Sequence, residues 1–170
     1  AITVGDAGLS SISLPESDKL QELNLDGNNF SELDLSRFTN LRTVSMANNK
    51  LTSVDISGFP SLQLADFNGN QLTSFNAENS NLWFLNLGSN QLESIDLSKV
   101  PSMEQLGLAN NLLKSVDVSS LNGLMALYLE GNDMNFATLP LPKERWIKYS
   151  YSNQKPVTPE VINGEKVDLS

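Results

Sequence analysis

Hydrophobic residues recur along this chain with a period of 20 or 21 residues. Aligned on their first apolar residue, the repeats read L-x-x-L-x-L-x-x-N-x-L-x-x-L/V-D-L/I-S. Five segments follow this pattern and a sixth keeps only its first half; they begin at Leu20, Leu41, Leu62, Leu82, Met103 and Leu124. Self-similarity at a fixed period is typical of a stacked array of coils, and the long surface of such an array is usually a binding surface.

The first half of each repeat predicts a β-strand. Apolar residues alternate there with polar ones, as in Leu23 and Leu25 or Leu85 and Leu87, and a period of two is typical of a half-buried strand. One strand cannot bury its own apolar face, so the repeats are expected to stack into a parallel sheet. Seven such strands, about 4.8 Å apart, would span on the order of 30 Å.

The second half of each repeat alternates in the same way, as in Leu33 and Leu35 or Val54 and Ile56. A unit of about 21 residues leaves little room for a helix, so we expect short extended segments or tight turns on the convex side. Four further apolar residues should close the core on that side: Phe38, Phe59, Val100 and Leu121.

One repeat is a residue shorter than its neighbours. The unit that begins at Leu62 carries Ala65 beside Phe67 where its neighbours carry paired aliphatic residues. A small residue beside a large one roughly conserves core volume, which cores tolerate. We therefore expect this unit to keep its strand and the deletion to lie in the convex loop before Leu82.

Each complete repeat also carries an asparagine three residues after the second apolar strand position. A short amide offers two donors and an acceptor, enough to satisfy backbone groups where the chain leaves the strand. Because every copy has the residue, we interpret the column as an internal hydrogen-bond ladder rather than a set of ligand contacts. The ladder consists of Asn28, Asn49, Asn70, Asn90, Asn111 and Asn132.

Over residues 2 to 136 these features resemble the leucine-rich repeat family. The LDLS ending is similar to the 21-residue class of bacterial surface proteins, with internalin-like relatives. The resemblance implies a solenoid with a curved parallel sheet on its concave side and few helices. It also implies a non-catalytic recognition domain at a bacterial surface or in the extracellular space.

The two ends depart from the repeat, and we divide the chain into a degenerate first coil (1–19), repeats (20–136) and a C-terminal cap (137–170). Ile2 and Val4 match the strand positions of the next unit, and Ala7 stands at the ladder position. In the cap, Ile147 to Tyr151 reads as a strand. Its aromatic residues are expected to cover the last coil, with an aromatic ligand platform as the alternative. The abrupt ending at Ser170 suggests that another module follows in the native polypeptide.

Composition excludes several classes of function. The net charge of −9 and the 11 scattered Lys and Arg residues argue against nucleic acid, which needs clustered cations. Without Cys or His, thiolate metal sites and Ser-His-Asp or Cys-His catalysis are impossible. We expect no enzyme activity, no cofactor, no membrane insertion and a monomeric state.

A column of aspartates recurs in the second half of the repeats: Asp34, Asp55, Asp96 and Asp117, with Asn76 interrupting it. Stacked carboxylates repel one another unless each bonds locally or shares a cation. Each aspartate could accept backbone N–H groups in its own turn, and the alternative is a calcium site. The local bonds are the preferred interpretation, and no metal is expected.

The candidate binding face is the outer side of the predicted sheet. Its residues flank the buried strand positions, and most of them are small or polar. The candidates are Leu64, Asp66, Asn68, Trp83, Phe84, Asn86, Tyr128 and Glu130. Aromatic residues beside polar groups suit a protein partner and also sugar rings. A protein partner is the main expectation; a carbohydrate ligand and a passive spacer role are the alternatives.

Overall fold

The computed structural model describes residues 1–14, 18–32, 34–78 and 81–155. Within them the chain forms a solenoid built on one eight-stranded parallel sheet, with strand order β1-β2-β3-β5-β7-β8-β9-β10. No helix occurs in these ranges. The strands of this sheet are β1 (Ile2–Thr3), β2 (Glu22–Asn24), β3 (Thr43–Ser45), β5 (Leu64–Asp66), β7 (Phe84–Asn86), β8 (Gln105–Gly107), β9 (Ala126–Tyr128) and β10 (Lys148–Ser150). The parallel sheet and the near-absence of helix predicted from the repeat are confirmed.

The convex side carries a second, smaller sheet. It contains β4 (Ser53–Asp55) and β6 (Ser74–Asn76), which pair in parallel. The corresponding segments of the other described coils form turns and extended backbone. The prediction of short extended segments or tight turns is therefore confirmed. Leu33, one of the apolar residues assigned to this side, lies outside the described residues.

The short repeat keeps its strand, as predicted. Asp55 pairs with Asn76 at a separation of 21 residues, whereas Leu64 pairs with Phe84 at a separation of 20. The one-residue deletion therefore lies between Asn76 and Phe84. This stretch includes the convex loop before Leu82, where the deletion was expected.

Alternate strand residues point into a single continuous core. Leu23, Val44, Ala65, Leu85, Leu106 and Leu127 occupy equivalent strand positions, and each is at most 1% exposed. The four residues expected to close the convex side, Phe38, Phe59, Val100 and Leu121, are at most 5% exposed. The core thus runs the length of the solenoid, and each coil buries its apolar face only against its neighbours.

The asparagine column lies inside the solenoid, where every member is at most 8% exposed. Asn90 accepts the backbone N–H of Leu72 in the preceding coil at 2.9 Å. Its amide donates to the carbonyl of Phe67 in that coil and of Leu87 in its own, each at 3.0 Å. Asn49, Asn70, Asn111 and Asn132 make the same set of bonds. Each side chain therefore ties its own turn to the coil before it.

The residue before each ladder side chain adopts left-handed backbone. Its φ lies between 50° and 69° in all eight coils, at Asp6, Gly27, Asn48, Gly69, Ser89, Asn110, Gly131 and Asn153. Left-handed backbone is strained for most residues, and glycine, asparagine and aspartate adopt it most easily. The three glycines each follow a coil that has Asp or Asn at this position. A Cβ added to any of them would overlap the side-chain oxygen of that Asp or Asn.

Both ends of the chain extend the sheet. Ile2 in β1 pairs with Leu23 in β2, so the first strand of the sheet lies ahead of the repeats. At the other end β10 pairs with β9, so the expectation of seven strands is wrong: the described residues contain eight in this sheet. The strand expected over Ile147 to Tyr151 is present as β10. The count of seven strands was taken from the leucine pattern, which the cap lacks, and therefore did not include it. Residues 156–170 of the cap lie outside the described residues.

Aromatic side chains cover the last coil. The rings of Trp146 and Tyr149 are 4.9 Å apart, and those of Tyr149 and Tyr151 are 5.0 Å apart. The Tyr149 hydroxyl donates to the carbonyl of Pro140 at 2.8 Å, and burial raises its pKa. Trp146 and Tyr149 both pack against the core.

Candidate binding face

The outer side of the eight-stranded sheet, which we call the concave face, displays three parallel columns of side chains. Register pairs Leu64 with Phe84, and Asp66 with Asn86. Tyr128 lies two strands further on, in the same column as Asn86. Asn68 and Glu130 follow their strands by two residues and belong to the third column. Leu64, Asp66, Asn68, Phe84, Asn86, Tyr128 and Glu130 are all partly exposed.

Five of the eight candidate residues line one depression of about 470 Å³. They are Asn68, Phe84, Asn86, Tyr128 and Glu130, joined by Gln105, Asn110 and Asn153. The other three candidates, Leu64, Asp66 and Trp83, are not among the residues that line it. The sequence therefore identified five of the residues that line this depression, and the small residues Gly88, Gly107 and Ala109 predict a shallow floor between them.

The depression exists because three neighbouring positions on its floor lack a substantial side chain. Gly88, Gly107 and Ala109 form the floor. A Cβ added to Gly107 would lie 2.7 Å from Oδ1 of Asn86, and one added to Gly88 would lie 2.9 Å from Oδ1 of Asn68. The amide walls are therefore packed closely against a glycine floor, and a larger residue at either glycine would displace them.

Asp66 holds the N-terminal side of the depression in place. Its carboxylate accepts the backbone N–H of Asn68 at 2.9 Å and the side-chain amide of Asn86 at 3.3 Å. Burial raises the pKa of Asp66 above its usual range, and the nearby Asp26 raises it further, against the lowering effect of these bonds. Asn86 in turn accepts the N–H of Gly88 at 3.1 Å. One carboxylate outside the depression thus bonds the backbone of Asn68 and orients the side-chain amide of Asn86.

A second polar network on this face was not identified from the sequence. The carboxylate of Asp26 accepts the Ser45 hydroxyl and the Ala47 N–H, each at 2.7 Å, and the Asn24 amide at 3.0 Å. All three contacts lie near β2 and β3. Asp26 occupies the same repeat position as Glu130. Its contact with Ser45 can be inferred only from the register of the two strands.

Glu130 contributes a carboxylate to the opposite wall. Its Oε2 atom is shielded from solvent and has no hydrogen-bond partner. A desolvated carboxylate oxygen without a donor is costly. None of the described residues that line the depression is Lys or Arg. The wall thus holds an acceptor that the residues around it leave unsatisfied.

Trp83 stands at the entrance of β7, outside the depression. It is 37% exposed, and its ring meets that of Phe84 edge to face at 6.0 Å. The sequence placed Trp83 beside Phe84, and the structure brings the two rings together. Trp83 therefore buttresses the ring of Phe84 that lines the depression.

The most exposed large apolar side chains occur at the end of the repeats and in the cap rather than on the concave face. Phe136 is 93% exposed, Leu141 84% and Ile147 81%. Sequence reasoning did not select them. The available signal was that Leu141 lies between two prolines, and Phe136 shortly before them, where the repeat pattern ends.

The aspartate column makes the local bonds expected of it. Each carboxylate accepts the N–H of the serine two residues later, at 2.8 to 2.9 Å. Hydrogen bonds from that serine, through its hydroxyl first and its N–H second, lower the pKa of Asp34, Asp55, Asp96 and Asp117. At the interrupted position Asn76 donates to Asp55 at 3.3 Å. No cluster of three or more acidic residues with metal-binding geometry occurs in the described ranges.

Comparison with known proteins identifies the class of fold. Residues 18–61 match the family model described as leucine-rich repeats in two copies. No curated protein matches the chain in sequence. The chain therefore carries leucine-rich repeats over these residues, and its solenoid is the fold of leucine-rich repeat proteins. Such solenoids commonly mediate protein–protein interaction and are typically non-catalytic.

Three solved bacterial structures are similar to the chain. The functional domain of InlJ from Listeria monocytogenes, which includes a cysteine ladder, superposes with a TM-score of 0.76 at 24% identity over 86% of this chain and 32% of that one. YopM from Yersinia enterocolitica gives 0.71 at 22% identity over 88% and 32%. A leucine-rich repeat protein from Leptospira interrogans gives 0.66 at 24% identity over 71% and 34%. The chain thus spans about a third of each of these structures, and the likeness concerns the fold.

The described residues contain no helix long and apolar enough to cross a membrane.

Proposed function

We propose that this chain is a non-catalytic recognition domain that binds a protein partner across its concave face. The observation that carries the proposal is the depression of about 470 Å³ on that face. It is open, polar at its walls and lined by two aromatic side chains, Phe84 and Tyr128. Aromatic anchors in a partly desolvated hollow are typical of the centre of a protein interface.

The rigidity of the solenoid supports this role. The asparagine ladder fixes each turn to its neighbour from inside, so the three columns form a lattice whose spacing does not depend on the partner. Asp66 also orients Asn68 and Asn86 through hydrogen bonds. A preorganised surface loses little conformational entropy when it binds. The same lattice would serve a bacterial surface or secreted protein, which is the location we propose on the basis of the resemblance to internalin-like proteins.

Site-specific photo-crosslinking tests the proposal. A benzoylphenylalanine at Gln105, on the rim of the depression, is expected to crosslink a discrete protein. The same group at Ser94 is the control, because Ser94 is the convex equivalent of Ser74 in β6. The crosslink from Gln105 should disappear when Phe84 and Tyr128 are both replaced by serine. Equal crosslinking from Gln105 and Ser94, or persistence in the double variant, would contradict the proposal.

Two alternatives give different results. If the face binds carbohydrate, a glycan array would report a ligand for the wild-type chain that Phe84→Ala loses, and no protein crosslink would form. If the chain is a spacer, binding by the parent protein would survive the combined replacement of Asp66, Phe84 and Tyr128 by alanine. The protein-binding proposal requires a protein crosslink from Gln105 and a loss of binding in the combined variant.

A further inference from the structure

We propose that the depression receives an arginine side chain of the partner. The proposal deepens the proposed function and rests on it. It follows from the shape of the depression, from its aromatic walls and from the unsatisfied carboxylate of Glu130.

The shape of the depression suits one extended side chain. Gly107 lies between Asn86 on the preceding strand and Tyr128 on the following one. Two strand spacings separate these walls, which is about 10 Å between their backbones. A flat group can enter between them beside the Asn86 amide, because Gly107 and Gly88 contribute no side chain of their own.

The aromatic walls suit a planar cation. The guanidinium group of arginine stacks on aromatic faces and is weakly hydrated, so it enters such a site more readily than the ammonium group of lysine. Phe84 and Tyr128 line the depression from different strands. These two rings can stack on a cationic ligand as well as on an uncharged one.

The charges of the site favour a cation. Glu130 lines the depression and has a carboxylate oxygen shielded from solvent and without a hydrogen-bond partner. Asp66 lies next to the amide wall through its contact with Asn86. The described lining residues include no cation, and the whole chain carries a net charge of −9. A guanidinium would supply the donor that Glu130 lacks, and its charge would be complementary to the face.

A titration with acetyl-arginine amide tests the inference, with acetyl-citrulline amide as a neutral probe of the same shape. We expect the arginine probe to shift the backbone NMR resonances of Gly88, Gly107 and Ala109 at millimolar concentration, and the citrulline probe to bind at least fivefold more weakly. Glu130→Gln should remove most of this difference. Glu93→Gln, which makes the same charge change outside the depression, should leave it intact.

Three outcomes would overturn the inference: no shift at the floor with the arginine probe, equal binding of the two probes, or equal affinity in Glu130→Gln and the wild type. A neutral sugar that shifts the same resonances more strongly than the arginine probe would also overturn it. Amide spectra of each variant report whether it is folded. If the Gln105 crosslink forms while the arginine probe fails, the protein-binding role stands and only the arginine assignment is lost. If both fail, the concave face is not the binding surface.

Discussion

Replacing Gly69 with alanine is expected to destabilise the solenoid by about 2 kcal/mol. Gly69 has a φ of 69°, which is left-handed backbone. An L-amino acid in this conformation costs about 1 kcal/mol or more relative to glycine. The added Cβ would also overlap Oδ1 of Asn48, the left-handed residue of the preceding coil. Relief requires Asn48 to leave its rotamer, which adds about 1 kcal/mol.

A double-mutant cycle separates these two contributions. Asn48→Gly removes the side chain that the new Cβ would meet, and glycine accepts the left-handed backbone of residue 48 (φ 55°) without strain. In that background Gly69→Ala should cost only the backbone strain, about 1 kcal/mol, which leaves a coupling of about 1 kcal/mol between the two positions. Gly58→Ala is the matched control, because nothing lies within 4 Å of a Cβ added there.

Urea unfolding followed by tryptophan fluorescence and by circular dichroism would measure these differences. Coincident transitions from the two probes would justify a two-state treatment, which long repeat arrays do not always satisfy. The reasoning is refuted if Gly69→Ala costs no more than Gly58→Ala. It is also refuted if removing the Asn48 side chain leaves the cost of Gly69→Ala unchanged.

Three further predictions concern polar side chains. Asn90→Leu should cost about 1 to 3 kcal/mol in urea unfolding, because it leaves the buried Leu72 N–H without a partner. The carbonyls of Phe67 and Leu87 keep the amides of Asn70 and Asn111 as donors. A loss no larger than that of the exposed Asn122→Leu would contradict this. Asp66→Asn should stabilise the protein at pH 7 and have little effect near pH 3: the raised pKa means that the folded state penalises ionised Asp66 above that pKa and not below it. A stability gain independent of pH would argue against this cause. Gln154→Ala should cost only about 1 kcal/mol because its site is partly exposed, and should speed hydrogen exchange at the Met134 N–H; unchanged exchange there would contradict it.

Gln154 illustrates why the sequence predicted the ladder incompletely. Its side chain donates to the carbonyls of Leu129 at 2.8 Å and Tyr151 at 2.9 Å and accepts the N–H of Met134 at 3.1 Å. These bonds repeat those of an internal asparagine one coil further on. The residue type differs and the leucines around it are replaced by aromatic residues, so the repeat pattern does not reveal the equivalence. The position does: Gln154 follows Tyr151 by three residues, as Asn132 follows Leu129.

The left-handed column was also invisible to pattern reasoning, for a different reason. Its eight positions hold four residue types, because the requirement is a backbone conformation that glycine, asparagine, aspartate and, at Ser89, serine all meet. By contrast the strands and the core were predictable, since each repeat places the same apolar type at the same position and six copies reinforce the signal. A repeat thus reveals features that depend on side-chain polarity and hides those that depend on backbone geometry.

The depression belongs to neither group, because it arises from a difference between repeats. In the repeat alignment Asn86, Gly107 and Tyr128 occupy the same position, and the pairing of β7, β8 and β9 in register places Gly107 between the other two. The depression forms because Gly107, which has no side chain, lies between larger residues of the two adjacent repeats. A single repeat does not contain this arrangement.

The arrangement of the solenoid separates the residues that hold it together from those that face a partner. Ladder and core residues lie inside, so most of the concave face can vary without loss of the interior bonds. Gly107 is an exception. A Cβ there would lie 2.7 Å from Oδ1 of Asn86, and that same oxygen accepts the Gly88 N–H at 3.1 Å. A side chain at Gly107 would therefore both fill the depression and disturb a bond that shapes its wall. It follows that the floor is the place on this face where binding and local structure depend on the same atoms.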